Sequence, residues 1–301
     1  MATRVERAEP PLVVIVGPTA SGKTALAIEL AERYGGEIIC ADSRTVYKGM
    51  DIGTAKPTPE EQARVPHWGL DLVEPGERFT AADFKDYTVA KMSEIRARGH
   101  IPFLVGGTGL YVDAVLFDYQ FGADAHSDIR TSLETLSVEQ LQNYCIKNNI
   151  ELPENRQNKR YLIRTIEQQG VNRKRSAEVL ANTIVVGIST DREILRRRIE
   201  VRTEQLFANG VVEEAKTLGK KYGWDSEAMT GNIYPVIHRY LQGMLTLQEA
   251  KEVFTTRDWQ LAKRQVTWLR RNPYIGWLDL EAAEHHIAAQ LYDTQQKCVT
   301  V

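Results

Sequence analysis

A complete P-loop pattern is the feature that most limits how this chain can fold. Residues 17–24 read Gly-Pro-Thr-Ala-Ser-Gly-Lys-Thr, and an apolar run before them with helix-forming residues after them predicts a buried strand followed by a helix. The glycines let backbone N–H groups turn toward an anion, and the helix dipole adds positive potential. We therefore predict a diphosphate site in which Lys23 reaches the terminal phosphate and the Thr24 hydroxyl ligates Mg²⁺. The predicted diphosphate-binding residues are Gly17, Pro18, Thr19, Ala20, Ser21, Gly22, Lys23 and Thr24.

Further patterns extend this unit into alternating strands and helices. Strands are predicted at residues 12–16, 38–41, 68–73, 101–105 and 184–188, the last clear one. Helices are predicted at 23–34 and 81–98, and Thr190–Glu193 is typical of a capping box that opens a helix. This alternation predicts an α/β fold with a P-loop NTPase-like parallel sheet flanked by helices.

The pattern changes between residues 121 and 183, where polar side chains dominate and apolar residues recur at helical spacing. We predict that 121–183 form a helical insertion domain. The P-loop catalytic core would then comprise residues 10–120 plus 184–280, with C-terminal helices broken at Gly219–Gly223 and Thr230–Pro235.

Composition rules out several classes of protein. In 301 residues, 43% are apolar and 26% are charged, which is typical of a globular chain and not of a disordered or fibrous one. No run of apolar residues is long enough to span a membrane. The three cysteines show neither metal-binding spacing nor a disulfide framework. We expect a cytoplasmic monomer with no membrane partner.

Three further features surround the predicted diphosphate site. Asp42 ends the second strand, at the sheet edge where ligands bind, so its carboxylate could accept a proton, hold a metal or simply cap a turn. Gly106–Gly109 ends another strand without the acidic residue usual in a P-loop ATPase, which argues against hydrolysis and leaves room for a bulky ligand. Arg202 lies on the apolar side of a predicted helix. Its guanidinium could contact the diphosphate, or it could simply reach solvent from the edge of the core. The turn-rich segment 51–57 could close over a ligand.

Basic residues are clustered although the net charge is only −2. Arg156, Arg160 and Arg164 recur every four residues, which predicts one basic helix face within a basic cluster that continues to residues 173–175. Near the C-terminus, an apolar stripe leaves Lys263, Thr267 and Arg270 on another face. Such faces either contact a phosphate backbone or are merely solvated.

Together these residues resemble the tRNA dimethylallyltransferase (isopentenyl-tRNA transferase) family. The matching stretches are GPTASGKT at 17–24, ADSRTVYKGMDIGTAKP at 41–57, AADF at 81–84, PFLVGGTGLY at 102–111 and AKRQVTWLR at 262–270. The resemblance implies transfer of a dimethylallyl group from dimethylallyl diphosphate to the exocyclic amine of the adenosine 3′ to the tRNA anticodon. It implies Asp42 as the base, with Thr108 near the reacting amine and Arg202 at the leaving diphosphate, and Mg²⁺ as cofactor.

The resemblance also implies contacts with the anticodon arm, the expected partner. The implied tRNA-binding residues are Asp42, Ser43, Arg44, Thr45, Arg160, Arg164, Lys263, Arg264, Gln265, Thr267, Trp268 and Arg270. The chain departs from the family pattern in a short insertion and at Tyr161, Pro235 and Trp259, all on the RNA side. The alternatives are an isopentenyltransferase acting on free AMP, ADP or ATP, a small-molecule P-loop kinase, and a non-catalytic P-loop RNA-binding regulator.

Overall fold

The computed structural model describes residues 9–121, 127–153, 155–168 and 176–299. Its six strands are β1 (Leu12–Val16), β2 (Gly36–Ala41), β3 (His67–Trp68), β4 (Ile101–Gly106), β5 (Thr183–Ile188) and β6 (Gly276–Leu278). They form one parallel sheet in the order β3-β2-β4-β1-β5-β6. The predicted α/β fold class is confirmed.

Helices connect these strands and continue after them. They are α1 (Lys23–Tyr34), α2 (Pro59–Arg64), α3 (Ala81–Ala97), α4 (Gly109–Leu116), α5 (Ser127–Glu134), α6 (Val138–Lys147), α7 (Lys159–Glu167), α8 (Arg192–Ala208), α9 (Val211–Tyr222), α10 (Tyr234–Leu241), α11 (Leu247–Leu269) and α12 (Leu280–Val299). None of the helices in the described ranges is long and apolar enough to cross a membrane.

The sheet is buried because helices cover its apolar strands. β1 lies at its centre, where Val13 pairs with Phe103 of β4 and Ile184 of β5. Val13 and Ile15 belong to the same buried cluster as residues of α1 and α12. All five β1 residues are buried, as expected for a parallel strand covered on both faces.

Residues divide into two compact units, 1–116 with 179–301 and 117–178. The first contains the sheet and a second cluster of buried residues from α9, α10 and α11. The second has its own small core, in which α6 and α7 contribute Leu141, Cys145, Leu162, Ile163 and Ile166. Each unit therefore buries apolar side chains of its own.

Several local predictions were wrong for identifiable reasons. The strand predicted at 68–73 shrinks to the two residues of β3, because Gly69 and Asp71 have positive φ angles that end it. The helix after β5 is capped by Asp191, whose carboxylate accepts from the N–H groups of Glu193 and Ile194, and not by a Thr190 capping box.

Two further differences lie toward the C-terminus. β6, a three-residue strand parallel to β5, was not predicted because it has no apolar run of its own. α9 runs through Gly219 and ends at Gly223, where φ is +79°. At Gly219 an added Cβ would lie 2.3 Å from the Trp224 ring, so this glycine permits close packing and does not break the helix.

Candidate active site

A cavity of about 440 Å³ lies where β1, β2 and β4 end. Its wall combines the P-loop, the turn after β2, the turn after β4, and side chains of α8, α10 and α11. Half of the predicted site residues line it: Thr19, Lys23, Thr24, Asp42, Ser43, Arg44, Thr45, Thr108, Arg202, Arg264 and Gln265. Residues far apart in the sequence therefore meet at the carboxyl edge of the sheet, as the topology requires.

The P-loop has the backbone shape that anion binding needs. Ala20 and Gly22 have φ angles of +61° and +92°, left-handed conformations that turn the chain sharply before α1. The Lys23 ammonium donates to the Pro18 carbonyl at 3.3 Å, which folds the side chain back over the loop. The buried Ser21 hydroxyl has no hydrogen-bond partner among the described residues.

The charge of Lys23 is tuned by its surroundings. Desolvation lowers its pKa to about 8, against the opposing effect of the Asp42 carboxylate, and Arg202 lowers it further. At neutral pH the ammonium is still charged, but its hydration is poor. An anionic ligand in the cavity would therefore gain a strong partner and raise this pKa again.

α8 brings two guanidinium groups to the P-loop. Arg202 donates to the Thr19 hydroxyl, while its buried Nε has no partner among the described residues. Arg198, which was not predicted as a site residue, donates to the Ser21 carbonyl at 3.1 Å. Arg202 lies one turn from buried Ile199 and Leu206, so the apolar side of α8 directs it into the cavity.

The turns after β2 and β4 are joined at Asp42 and Thr108. One Asp42 carboxylate oxygen accepts from the Arg44 N–H at 2.8 Å. The Thr108 hydroxyl accepts from the Ser43 N–H at 3.1 Å, and the Thr108 N–H donates to the Ala41 carbonyl at 3.2 Å. Asp42 is thus held as a turn residue on one oxygen while it lines the cavity, so the two interpretations of Asp42 are compatible.

The glycines at positions 106, 107 and 109 allow other segments of the chain to pack closely against the turn after β4. An added Cβ at Gly106 would lie 2.0 Å from the Ala41 carbonyl oxygen. At Gly107 it would lie 2.4 Å from Gln265, and at Gly109 it would lie 2.1 Å from Trp268. These glycines therefore permit close packing of β2 and α11, while Gly106 and Thr108 still line the cavity.

Members of the predicted tRNA-binding set on and next to α11 are either half-buried against the site or exposed. Gln265 accepts from the Thr19 N–H at 2.8 Å, and Trp268 donates to Asp113 at 2.7 Å, so both fasten α11 to the site. Lys263, Thr267 and Arg270 are exposed and lie outside the cavity wall. Their contact with RNA stays a prediction.

The segment 51–57 is fixed and is not a free flap. The Glu214 carboxylate accepts from the N–H groups of Asp51, Ile52 and Gly53 at 2.7–2.9 Å, and from the Tyr234 hydroxyl at 2.9 Å. Lys56 is buried and contacts the carboxylates of Asp51 and Asp71 at 2.6 Å each. This segment therefore forms a rigid part of the cavity wall.

The basic helix of the second unit is less uniform than predicted. Arg156 precedes α7 and so does not share its face. Arg160 is exposed, whereas Arg164 lies 3.6 Å from the carboxylate of Glu167, a side chain only 1% exposed. Arg130 contacts the same carboxylate at 3.5 Å. The end of this basic cluster, residues 173–175, lies outside the described residues.

Asp258, Glu214 and Arg198 contribute to the site but were not predicted. Asp258 lies on the cavity wall and is 3% exposed. A sequence signal existed for it, because it falls four residues from buried Phe254 and from buried Ala262, in the apolar stripe of α11. For Glu214 and Arg198 the pattern of charged residues on a helix offers no such signal.

Comparisons with known proteins agree with this geometry. A family model described as IPP transferase matches residues 45–272, and one described as isopentenyl transferase matches residues 10–71. The chain is 39% identical to the tRNA dimethylallyltransferase of Geobacillus kaustophilus, covering 90% of this chain and 91% of the relative. It is 38% identical to that of Roseiflexus sp., covering 97% of each.

A solved structure is also similar. The tRNA isopentenylpyrophosphate transferase from Bacillus halodurans superposes with a TM-score of 0.73 at 35% identity, covering 96% of this chain and 99% of the other. The similarity thus extends over nearly the full length of both chains.

Proposed function

Because this chain belongs to the tRNA dimethylallyltransferase family, we propose that its cavity transfers a dimethylallyl group from dimethylallyl diphosphate to the exocyclic amine of the adenosine 3′ to the tRNA anticodon. One observation carries the proposal: a single cavity combines a P-loop with a carboxylate and a hydroxyl from the two neighbouring strand ends. The P-loop binds the leaving group, and the other two groups suit an attacking amine.

The proposed reaction breaks one bond and forms another, and different residues of the cavity would assist each change. The amine nitrogen attacks the allylic carbon of the donor, the bond from that carbon to the diphosphate oxygen breaks, and the amine loses a proton. Negative charge accumulates on the diphosphate, where Lys23, Arg202 and the P-loop N–H groups stabilise it. Asp42 takes the proton, in an orientation set by its bond to the Arg44 N–H.

Thr108 positions the reacting edge of the base in this proposal. Its hydroxyl oxygen accepts from the Ser43 N–H, so the hydroxyl hydrogen is available to the amine or the ring of an adenosine. The target base must leave its stack, which costs least in a single-stranded loop. An anticodon loop meets that requirement.

The P-loop suits Mg²⁺ as the cofactor. Among the described residues, no group of three or more His, Cys, Asp or Glu side chains could hold a metal ion. Mg²⁺ at phosphate sites needs few protein ligands and takes the rest from phosphate oxygens and water. The Thr24 hydroxyl on the cavity wall fits this donor set, and the ion would neutralise diphosphate charge when bound.

We further propose that the anticodon arm contacts exposed residues Arg160, Lys263, Thr267 and Arg270, and that the protein acts as a monomer in the cytoplasm. The exposed positions of these side chains and the fixed cavity wall support the RNA part of this proposal. The alternatives that use only small molecules would have no need of such side chains.

Nucleoside mass spectrometry tests the proposed function. Unmodified anticodon stem-loop is incubated with the protein, dimethylallyl diphosphate and Mg²⁺, then digested and analysed. We expect dimethylallyl-adenosine from the RNA and none from free AMP, ADP or ATP. Modification of the free nucleotides alone, or release of phosphate from ATP without prenyl transfer, would contradict the proposal.

A further inference from the structure

A buried carboxylate lines the diphosphate cavity with one oxygen that no described residue contacts by a hydrogen bond. Asp258 lies within the buried stripe of α11 and is 3% exposed, yet it forms part of the cavity wall. An isolated carboxylate at a buried position is strongly disfavoured unless it is paired, protonated or bound to a metal. Its place in the fold therefore needs an explanation.

Among the described residues, only one oxygen of the Asp258 carboxylate has a hydrogen-bond partner, and that bond is long. Oδ1 is 3.4 Å from the side-chain amide of Asn232, at the long end of the hydrogen-bond range. Oδ2 is buried and has no hydrogen-bond partner within the described residues. The free oxygen is the feature that points to a ligand.

Asp258 is electrostatically linked to the diphosphate-binding groups. Its carboxylate and that of Asp42 both raise the pKa of Lys23, which places Asp258 within range of the ammonium that meets the ligand. A bound diphosphate would bring further negative charge into the same cavity. Repulsion between these anions weakens binding unless a cation lies between them.

We propose that Asp258 is a ligand, directly or through one water, of the divalent cation that enters with the diphosphate. Mg²⁺ prefers carboxylate and phosphate oxygens, and a buried oxygen without a partner supplies one. Asp258 thereby makes diphosphate binding depend on the cation. The inference rests on the proposed function, since it assumes that this cavity takes a diphosphate.

Calorimetric titration with inorganic diphosphate tests this role without any turnover. The proteins are the full chain, Asp258→Asn, and Glu252→Gln as a control that removes an exposed charge from the same helix. Each is titrated with excess Mg²⁺ and again with EDTA. Thermal unfolding of each variant checks that it is folded.

We expect Asp258→Asn to bind diphosphate about tenfold more tightly than wild type in EDTA, because the repulsion is gone. Its gain in affinity on adding Mg²⁺ should be at least about tenfold smaller than that of wild type. Mn²⁺ binding in the presence of diphosphate, followed by electron paramagnetic resonance, should weaken by about tenfold in Asp258→Asn. Glu252→Gln should match wild type in all three measurements.

Equal Mg²⁺ dependence in wild type and Asp258→Asn would overturn this inference and leave the diphosphate site intact. Weaker binding by Asp258→Asn in EDTA would also overturn it, since the carboxylate would then be orienting Lys23 or Arg202. Absence of diphosphate binding by wild type with Mg²⁺ present would overturn both the inference and the proposed function.

Discussion

The diphosphate cavity and the basic helix α7 were both predicted from the sequence, but their side chains differ in how they are held in the structure. In the cavity, side chains from six separate segments converge and bond to one another, as Gln265 does with the P-loop and Thr108 with the turn after β2. On α7, Arg160 is exposed while Arg164 is an ion-pair partner of buried Glu167. Motifs that end neighbouring strands predict which side chains meet in one site. A regular spacing of basic residues predicts only that they share one face of a helix.

The largest expected effect comes from removing the P-loop ammonium. Lys23→Ala should reduce single-turnover prenyl transfer by about 10³-fold, because charge on the leaving diphosphate loses its partner. Affinity for dimethylallyl diphosphate should fall as well, since the same charge acts in the ground state. Binding of an anticodon stem-loop, measured separately, should change by less than about threefold. An equal loss of RNA binding would mean that the two regions are not separable.

Glu214 tests whether the rigid cavity wall depends on a single carboxylate. Glu214→Ala removes the acceptor for three backbone N–H groups and the Tyr234 hydroxyl. We expect a loss of about 3 kcal/mol in the free energy of unfolding, measured by urea denaturation, with slower prenyl transfer. The neighbouring Glu213→Ala is the matched control, because the Glu213 carboxylate is 75% exposed and forms an ion pair with exposed Lys216. That control should change stability by less than about 0.5 kcal/mol, and similar losses in both variants would refute the role of Glu214.

The pH dependence of donor binding follows from Lys23. With a pKa of about 8 in the free protein, the ammonium is charged below that pH and loses its proton above it. Affinity for dimethylallyl diphosphate should therefore fall as pH rises above about 8, approaching tenfold per pH unit. Lys23→Arg keeps its charge and should show a flat profile there. A wild-type profile as flat as that of the arginine variant would show that this charge does not control binding.

The smallest effects are expected on α7, and they separate its two arginines. Arg160→Ala should lower the salt dependence of stem-loop binding by about one charge and leave the unfolding free energy unchanged. Arg164→Ala should instead reduce stability by about 1–2 kcal/mol, because the buried Glu167 carboxylate loses one of the two cationic partners, Arg130 and Arg164, that it has among the described residues. Salt titrations of binding and chemical denaturation measure the two quantities. If Arg164→Ala alters only the salt dependence, Arg164 belongs to the RNA surface after all.

Sequence patterns predicted the fold because buried parallel strands are continuous apolar runs and the P-loop fixes where the first one ends. They missed β6 and the close packing against the glycines at 106–109, because both depend on distant elements of the chain. The site was predicted wherever a motif ends a strand, as at Asp42 and Thr108. Glu214 escaped prediction because its partners lie on other elements and cannot be seen in a local pattern. Asp258 was missed although its place in the apolar stripe of α11 was a local signal.

A side-by-side comparison of Asp42→Asn and Arg160→Ala tests the central claim most directly: the cavity performs the chemistry, and the exposed basic residues bind RNA. Single-turnover prenyl transfer to an anticodon stem-loop and equilibrium binding of the same stem-loop are measured for both. We predict that Asp42→Asn lowers the chemical rate by about 10²–10⁴-fold and alters RNA affinity by less than about threefold. Arg160→Ala should weaken RNA binding and leave the rate at saturating RNA unchanged. A near wild-type rate for Asp42→Asn would contradict the assignment of Asp42 as the base, and with it the account of this cavity.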